Sequence, residues 1–102
     1  MTSLAVNIEI PRVLSVKIDE SAITVELDDG RTVSVPLAWY PRLFYANEAE
    51  RQNFRLIAKG YGIHWEAVDE DISVEGILAG RPSGESQASL KRWMALRTGG
   101  KR

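Results

Sequence analysis

The sequence predicts an α+β domain: a three- to four-stranded antiparallel β-meander with one main helix packed on it, a short additional strand and a C-terminal helix. Three features carry that prediction. Apolar residues alternate with polar ones from Leu14 to Leu37, the period-two pattern of half-buried strands. The spacing Asn47…Glu50 is that of a capping box at the start of a helix. Beyond the breakers Gly80, Pro82 and Gly84, residues Leu90, Trp93 and Met94 fall on one helical stripe.

The strands come first. Leu14, Val16 and Ile18 form one apolar set, Ile23, Val25 and Leu27 a second, and Val33, Val35 and Leu37 a third. A two-residue turn at Asp29-Gly30 would throw the second and third sets onto opposite faces, because a one-residue slip inverts every side chain. A three-residue loop, Asp28-Asp29-Gly30, instead pairs Val25 with Val33 and Ile23 with Val35, with Gly30 in the left-handed position of a bulged turn. The connection Asp19–Ala22 likewise pairs Ile18 with Ile23, Val16 with Val25 and Leu14 with Leu27. Upstream, Val6, Ile8 and Ile10 alternate before Pro11, which fits an edge strand or an ordered arm.

The helical signals follow. Pro36 ends the third strand, and Pro41 suits the first position of a short helical turn running to Ala46. From Asn47 the main helix is expected to run to Gly60, with Phe54, Ile57 and Ala58 on the sheet and Glu48, Arg51, Arg55 and Lys59 toward solvent. Residues 60–71 read as a glycine-hinged loop before a short strand at Ile72–Val74. Ser86 to Arg97 can form the last helix.

Composition narrows the function classes. The 102 residues, 44% hydrophobic, suffice for one domain, which at this size buries roughly 65% of its unfolded surface. With no cysteine, a disulfide frame, a thiolate metal site and a cysteine nucleophile are excluded. The start MTSLAVNIEIPRV has neither a basic region nor a long apolar run, so a secretory signal is not expected and a cytoplasmic location is. No stretch reaches the ~20 apolar residues of a membrane span, and no cofactor motif is present. The net charge of −1 hides a split: residues 1–80 carry 7 basic and 13 acidic side chains, residues 81–102 carry 6 and 1. An acidic domain over residues 1–83 and a basic helical extension over 84–102 are therefore expected.

Several blocks resemble a known family: DDGR (28–31), PLAWYPRL (36–43), ANEAERQNF (46–54), GIHW (62–65) and DEDISVEGILAG (69–80), in that order and with short spacings. They resemble the small bacterial domain-of-unknown-function family number 2442 across roughly residues 12–83. The family places a proline after the tryptophan of the GIHW block, where this chain has Glu66. The resemblance implies no catalytic residues. Family members are often encoded beside domain-of-unknown-function family number 4160, and the pairs look like toxin–antitoxin modules with this family in the antitoxin-like place. Relatives with a C-terminal helix-turn-helix also exist, but too few residues follow 83 to form one here.

Candidate sites have to be weighed against bland readings. His64, the only histidine, could serve as a base or a ligand with Asp69 and Asp71, which share a face if the run is extended. Metal sites ordinarily need three or more ligands, and a hydrogen-bonded loop histidine is favoured. Trp39, Tyr40, Phe44, Tyr45, Tyr61 and Trp65 crowd together; most should be core, with one or two left for an interface. Arg51, Arg55 and Lys59 at helical spacing read as a solvated face. The tail can dock on the body, fold onto a partner, or touch nucleic acid through its charge. The expected function is a non-enzymatic protein-interaction module, the antitoxin-like partner of a small co-encoded, toxin-like protein. Asp69, Glu70, Asp71, Trp93 and Met94 are its partner-binding candidates, and His64 and Trp65 are further candidates. The alternatives are a nucleic-acid-associated regulator and an uncharacterised enzyme, and edge-strand pairing leaves room for a homodimer.

Overall fold

The computed structural model describes residues 9–99. Its first sheet holds β1 (Val13–Ile18), β2 (Ala22–Leu27) and β3 (Thr32–Pro36), antiparallel and in chain order. Val25 faces Val33 and Ile23 faces Val35, so the expected three-residue loop is present. It is closed by Leu27 N–H to Arg31 O (2.8 Å) and Gly30 N–H to Leu27 O (3.1 Å), with Gly30 at φ +95°. A left-handed backbone of this kind is unstrained only for glycine. The first connection is built on Asp19, whose Oδ1 accepts from Ser21 N–H (2.8 Å), Ala22 N–H (2.8 Å) and Ser21 Oγ (3.0 Å). These bonds hold its carboxyl below the usual range.

The register of β1 departs from expectation at one end. Ile18 faces Ile23 and Val16 faces Val25, but a bulge between Val13 and Ser15 sets Val13 opposite Leu27. Val13 therefore enters the core, and Leu14 is 66% exposed rather than paired with Leu27. The bulge is pinned by Arg12 N–H to Asp28 Oδ1 (3.1 Å), Asp28 N–H to Arg12 O (2.9 Å) and Ser15 Oγ to Glu26 (2.7 Å). Such insertions flip the residues beyond them to the other face. Of the predicted upstream strand, Val6 and Ile8 lie outside the described residues, while Ile10 packs against the core.

A 3₁₀ turn (Leu37–Trp39) leads into α1 (Pro41–Phe44), with proline at its first position as expected. The main helix needs correction. Its capping box is present, with Glu50 N–H to Asn47 Oδ1 (2.8 Å) and Asn47 N–H to Glu50 Oε1 (2.9 Å). Yet α2 spans only Glu48–Gln52, and Phe54–Ile57 is a strand, β4. The chain reverses through a 3₁₀ turn in which Ala58, Lys59 and Gly60 all take positive φ. It then forms β5 (Gly62–Trp65), where a loop was expected, and β6 (Glu70–Ser73). These three strands make a second antiparallel sheet in chain order, so the architecture remains α+β but has two meanders. Two forces overrule the helical reading. Trp65 pairs with Phe54 and Ile63 with Leu56 across the sheet, and the Trp65 indole N–H donates to Arg51 O (3.0 Å), capping α2 at its end.

The strand at Glu70–Ser73 starts earlier than the predicted Ile72–Val74, and α3 (Val74–Leu78) follows with Ser73 Oγ accepting from Gly76 N–H (2.9 Å). Helix α4 covers Gln87–Gly99. Both sheets share one core, whose fully buried members include Ile23, Leu37, Leu43, Ile63, Trp65 and Val74.

Candidate functional site

The corner between α1 and α2 displays an aromatic pair. Leu43 and Ala46 are buried and anchor the corner from within. The side chain of Arg51, expected on a solvated helical face, instead turns back, donating from Nε to Leu43 O (3.0 Å) and from Nη2 to Phe44 O (2.7 Å). These carbonyls lie at the end of α1, where a short helix has few backbone partners; Leu43 O also accepts from Ala46 N–H (3.2 Å). With the backbone fixed this way, Phe44 and Tyr45 both face solvent, 42% and 51% exposed, with their rings edge-on at 5.2 Å. Rigid, wet aromatics of this sort are what protein interfaces use as anchors.

The tail reaches the same region. Of the three readings of the basic extension, it is docking on the body that the structure shows. Trp93 packs against the core cluster, and its ring takes the guanidinium of Arg42 at 5.4 Å and that of Arg97 at 4.6 Å. Arg97 in turn makes a two-pronged pair with Glu50 (2.9 and 2.9 Å), which brings the end of α4 beside α2. At the other end Arg42 grips Glu85 through Nε (2.9 Å) and Nη2 (2.7 Å) while its Nη1 donates to Val68 O (3.1 Å). The hydrogen bonds from Arg42 hold the Glu85 carboxyl below its ordinary range. Met94 and Leu90 are half-buried, whereas Leu96 is 76% exposed on the outer side with Lys91 and Arg92. Since Arg97 is committed to Glu50, the cationic footprint left for nucleic acid is smaller than the sequence suggests.

The acidic run is dispersed rather than gathered. Asp69 takes φ +54° in the turn before β6, so the extended 69–71 segment does not form. Asp71 faces His64 across the outer side of the second sheet and bonds its Nδ1, while Nε2 lies 3.3 Å from Glu66. The hydrogen bond with Asp71 raises the His64 pKa. No cluster of three metal-ligating side chains occurs among the described residues. Glu70 points inward. Burial, and next the charge of Glu85, push its pKa up to about 7. It lines a cleft of about 270 Å³ with Tyr40, Ser73, Arg81 and Ser83. Trp65 is fully buried and structural.

Of the six crowded aromatics, Tyr40 and Trp65 are buried, Trp39 is half-buried, and Phe44, Tyr45 and Tyr61 are exposed. Nothing periodic singles out Phe44 and Tyr45; the only signal was their density. Among the described residues no helix is long and apolar enough to cross a membrane.

A family model described as "Protein of unknown function (DUF2442)" matches residues 13–83. Two solved structures are similar. One is a protein of unknown function from Rhodospirillum rubrum, 28% identical, with 78% of this chain and 96% of that chain covered at a TM-score of 0.64. The other is an uncharacterized protein from Chromobacterium violaceum, 24% identical, with coverages of 84% and 75% and a TM-score of 0.61, a likeness of fold. No curated protein matches the chain.

Proposed function

The chain belongs to the DUF2442 family, and on that premise we propose that it is a non-enzymatic protein-interaction module, the antitoxin-like partner of a small co-encoded protein. The observation that carries the reading is the aromatic pair Phe44 and Tyr45, held outward on a corner that Arg51 makes rigid. A corner ordered before binding loses little conformational entropy on association, so its contact area converts efficiently into affinity. The docked α4 adds a further exposed apolar side chain, Leu96, on its outer side. The acidic residues of the domain then contribute to the speed of encounter with a basic partner more than to its grip.

The test is co-expression with the product of the adjacent gene, followed by purification on a tag carried by this chain. A stoichiometric complex is expected, and Phe44→Ser with Tyr45→Ser should weaken it by about 30-fold or more, the effect of losing a 2 kcal/mol hot spot. Recovery of this chain alone would sink the antitoxin-like reading. Full affinity in the double variant would move the interface away from the corner.

A further inference from the structure

Two residues on the α1–α2 face recognise α4 by a defined set of features. Arg42 holds a carboxylate just ahead of the first turn, Glu85, and lies 5.4 Å from the ring centroid of Trp93. Glu50 holds an arginine one turn beyond that aromatic, Arg97. In an α-helix a four-residue step is about 6 Å along the axis, so the face reads an acid, then an aromatic, then an arginine, in a fixed direction. Both reading residues fall inside the family-matched segment 13–83, and the helix they read falls outside it. The connection, residues 81–86, is neither helix nor strand. Trp93 is only partly buried, while the flanking ion pairs are two-pronged and largely withdrawn from solvent, the Glu85 side chain being 9% and that of Glu50 20% exposed, so the set of charges, more than apolar burial, specifies the occupant. The short tether holds α4 at an effective concentration on the order of millimolar.

We propose that this face is a docking site for an amphipathic helix of a partner protein, bearing a carboxylate, a tryptophan and an arginine in that order, and that α4 fills it in cis as a displaceable occupant. The proposal rests on the reading of the domain as an interaction module and specifies the class of partner. A free helix must displace the tethered one, so the site is guarded against weak ligands and open to strong ones.

The probe is a fluorescein-labelled peptide of this chain's residues 84–99, titrated into the full-length wild type and into full-length Trp93→Ala/Arg97→Ala, in which α4 is released. The released chain should bind the peptide at least tenfold more tightly than wild type. Adding Glu50→Arg should abolish that binding, and a peptide carrying Arg97→Glu should restore it. Equal affinities for the two chains, or no binding to a released chain with native circular dichroism, would overturn the proposal. Unfolding of the released chain would also overturn it, because a displaceable occupant has to be dispensable. Co-purification of the wild type with the co-encoded protein is scored separately. A complex without peptide binding rejects only the docking site, and peptide binding without a complex rejects only the antitoxin-like reading.

Discussion

Replacing Glu70 by glutamine should leave stability unchanged near pH 4.5 and raise it at pH 8. Glu70 sits on the inner face of the second sheet, where burial and the Glu85 carboxylate push its pKa from 4.5 to about 7. The guanidinium that opposes this shift, Arg42, is occupied by Glu85 and by Val68 O. Below pH 4.5 the folded and unfolded chains both hold the proton, and there is no penalty. Between pH 4.5 and 7 the unfolded chain releases it and the folded chain keeps it, so stability falls as pH rises; above 7 the loss is complete. At 1.36 kcal/mol per unit the full shift corresponds to roughly 3 kcal/mol, and the solvent contact that Glu70 retains cuts this to about 1–2 kcal/mol. Urea denaturation followed by tryptophan fluorescence at pH 4.5, 6 and 8 measures it, with Glu70→Gln gaining on wild type only at the higher values. His64, whose pKa is also raised, stabilises below its ordinary pKa and ceases to do so as pH rises through the folded value. It is common to both proteins and cancels in the difference. A Glu70→Gln effect that is constant with pH, or larger in acid, would refute the assigned environment.

Asp71→Asn should lower the His64 pKa, read from its ring proton shifts by NMR, because the bond to Asp71 is the leading cause of its elevation; an unmoved titration would exclude the pair. Asn47→Ala removes the capping box and should cost about 1 kcal/mol, seen as a lower urea midpoint at unchanged slope. Trp65→Ala should cost about 3–5 kcal/mol, since it empties the largest fully buried site and leaves Arg51 O without its donor. His64→Ala, one position away on the outer face, should cost far less by the same denaturation assay, and comparable losses would mean that the faces of β5 are misassigned.

How much was legible depended on how far away each determinant lay. The Asp28-Asp29-Gly30 loop was readable because register and turn chemistry are local, and Gly30 sits at the positive φ the loop demands. The Leu14 error was not avoidable by pattern, since the alternation is genuine and the bulge depends on Arg12 meeting Asp28. The over-long helix arose because Phe54, Ile57 and Ala58 satisfy a helical stripe as well as a strand. The choice is made by Ile63 and Trp65, whose own strand is too short, with His64 between them, to announce itself. The apolar stripe of α4 was visible, but its place on the body is set by Arg42 and Glu50, which no local pattern connects to Trp93 and Arg97. The acidic run looked like one patch and is three environments, because a left-handed Asp69 and the two faces of β6 separate its members.

Each sheet joins only strands that follow one another in the chain, β1-β2-β3 and then β4-β5-β6. Most ladder contacts therefore close short loops, which is the topology of fast folders. Burial of Leu37, Leu43 and Ile63 in the core shared by the two meanders is expected to follow, and α4 to settle last. Amide protons of α4 should then exchange with solvent through local opening, well before those of β2 and β5, which lie at the centre of their sheets.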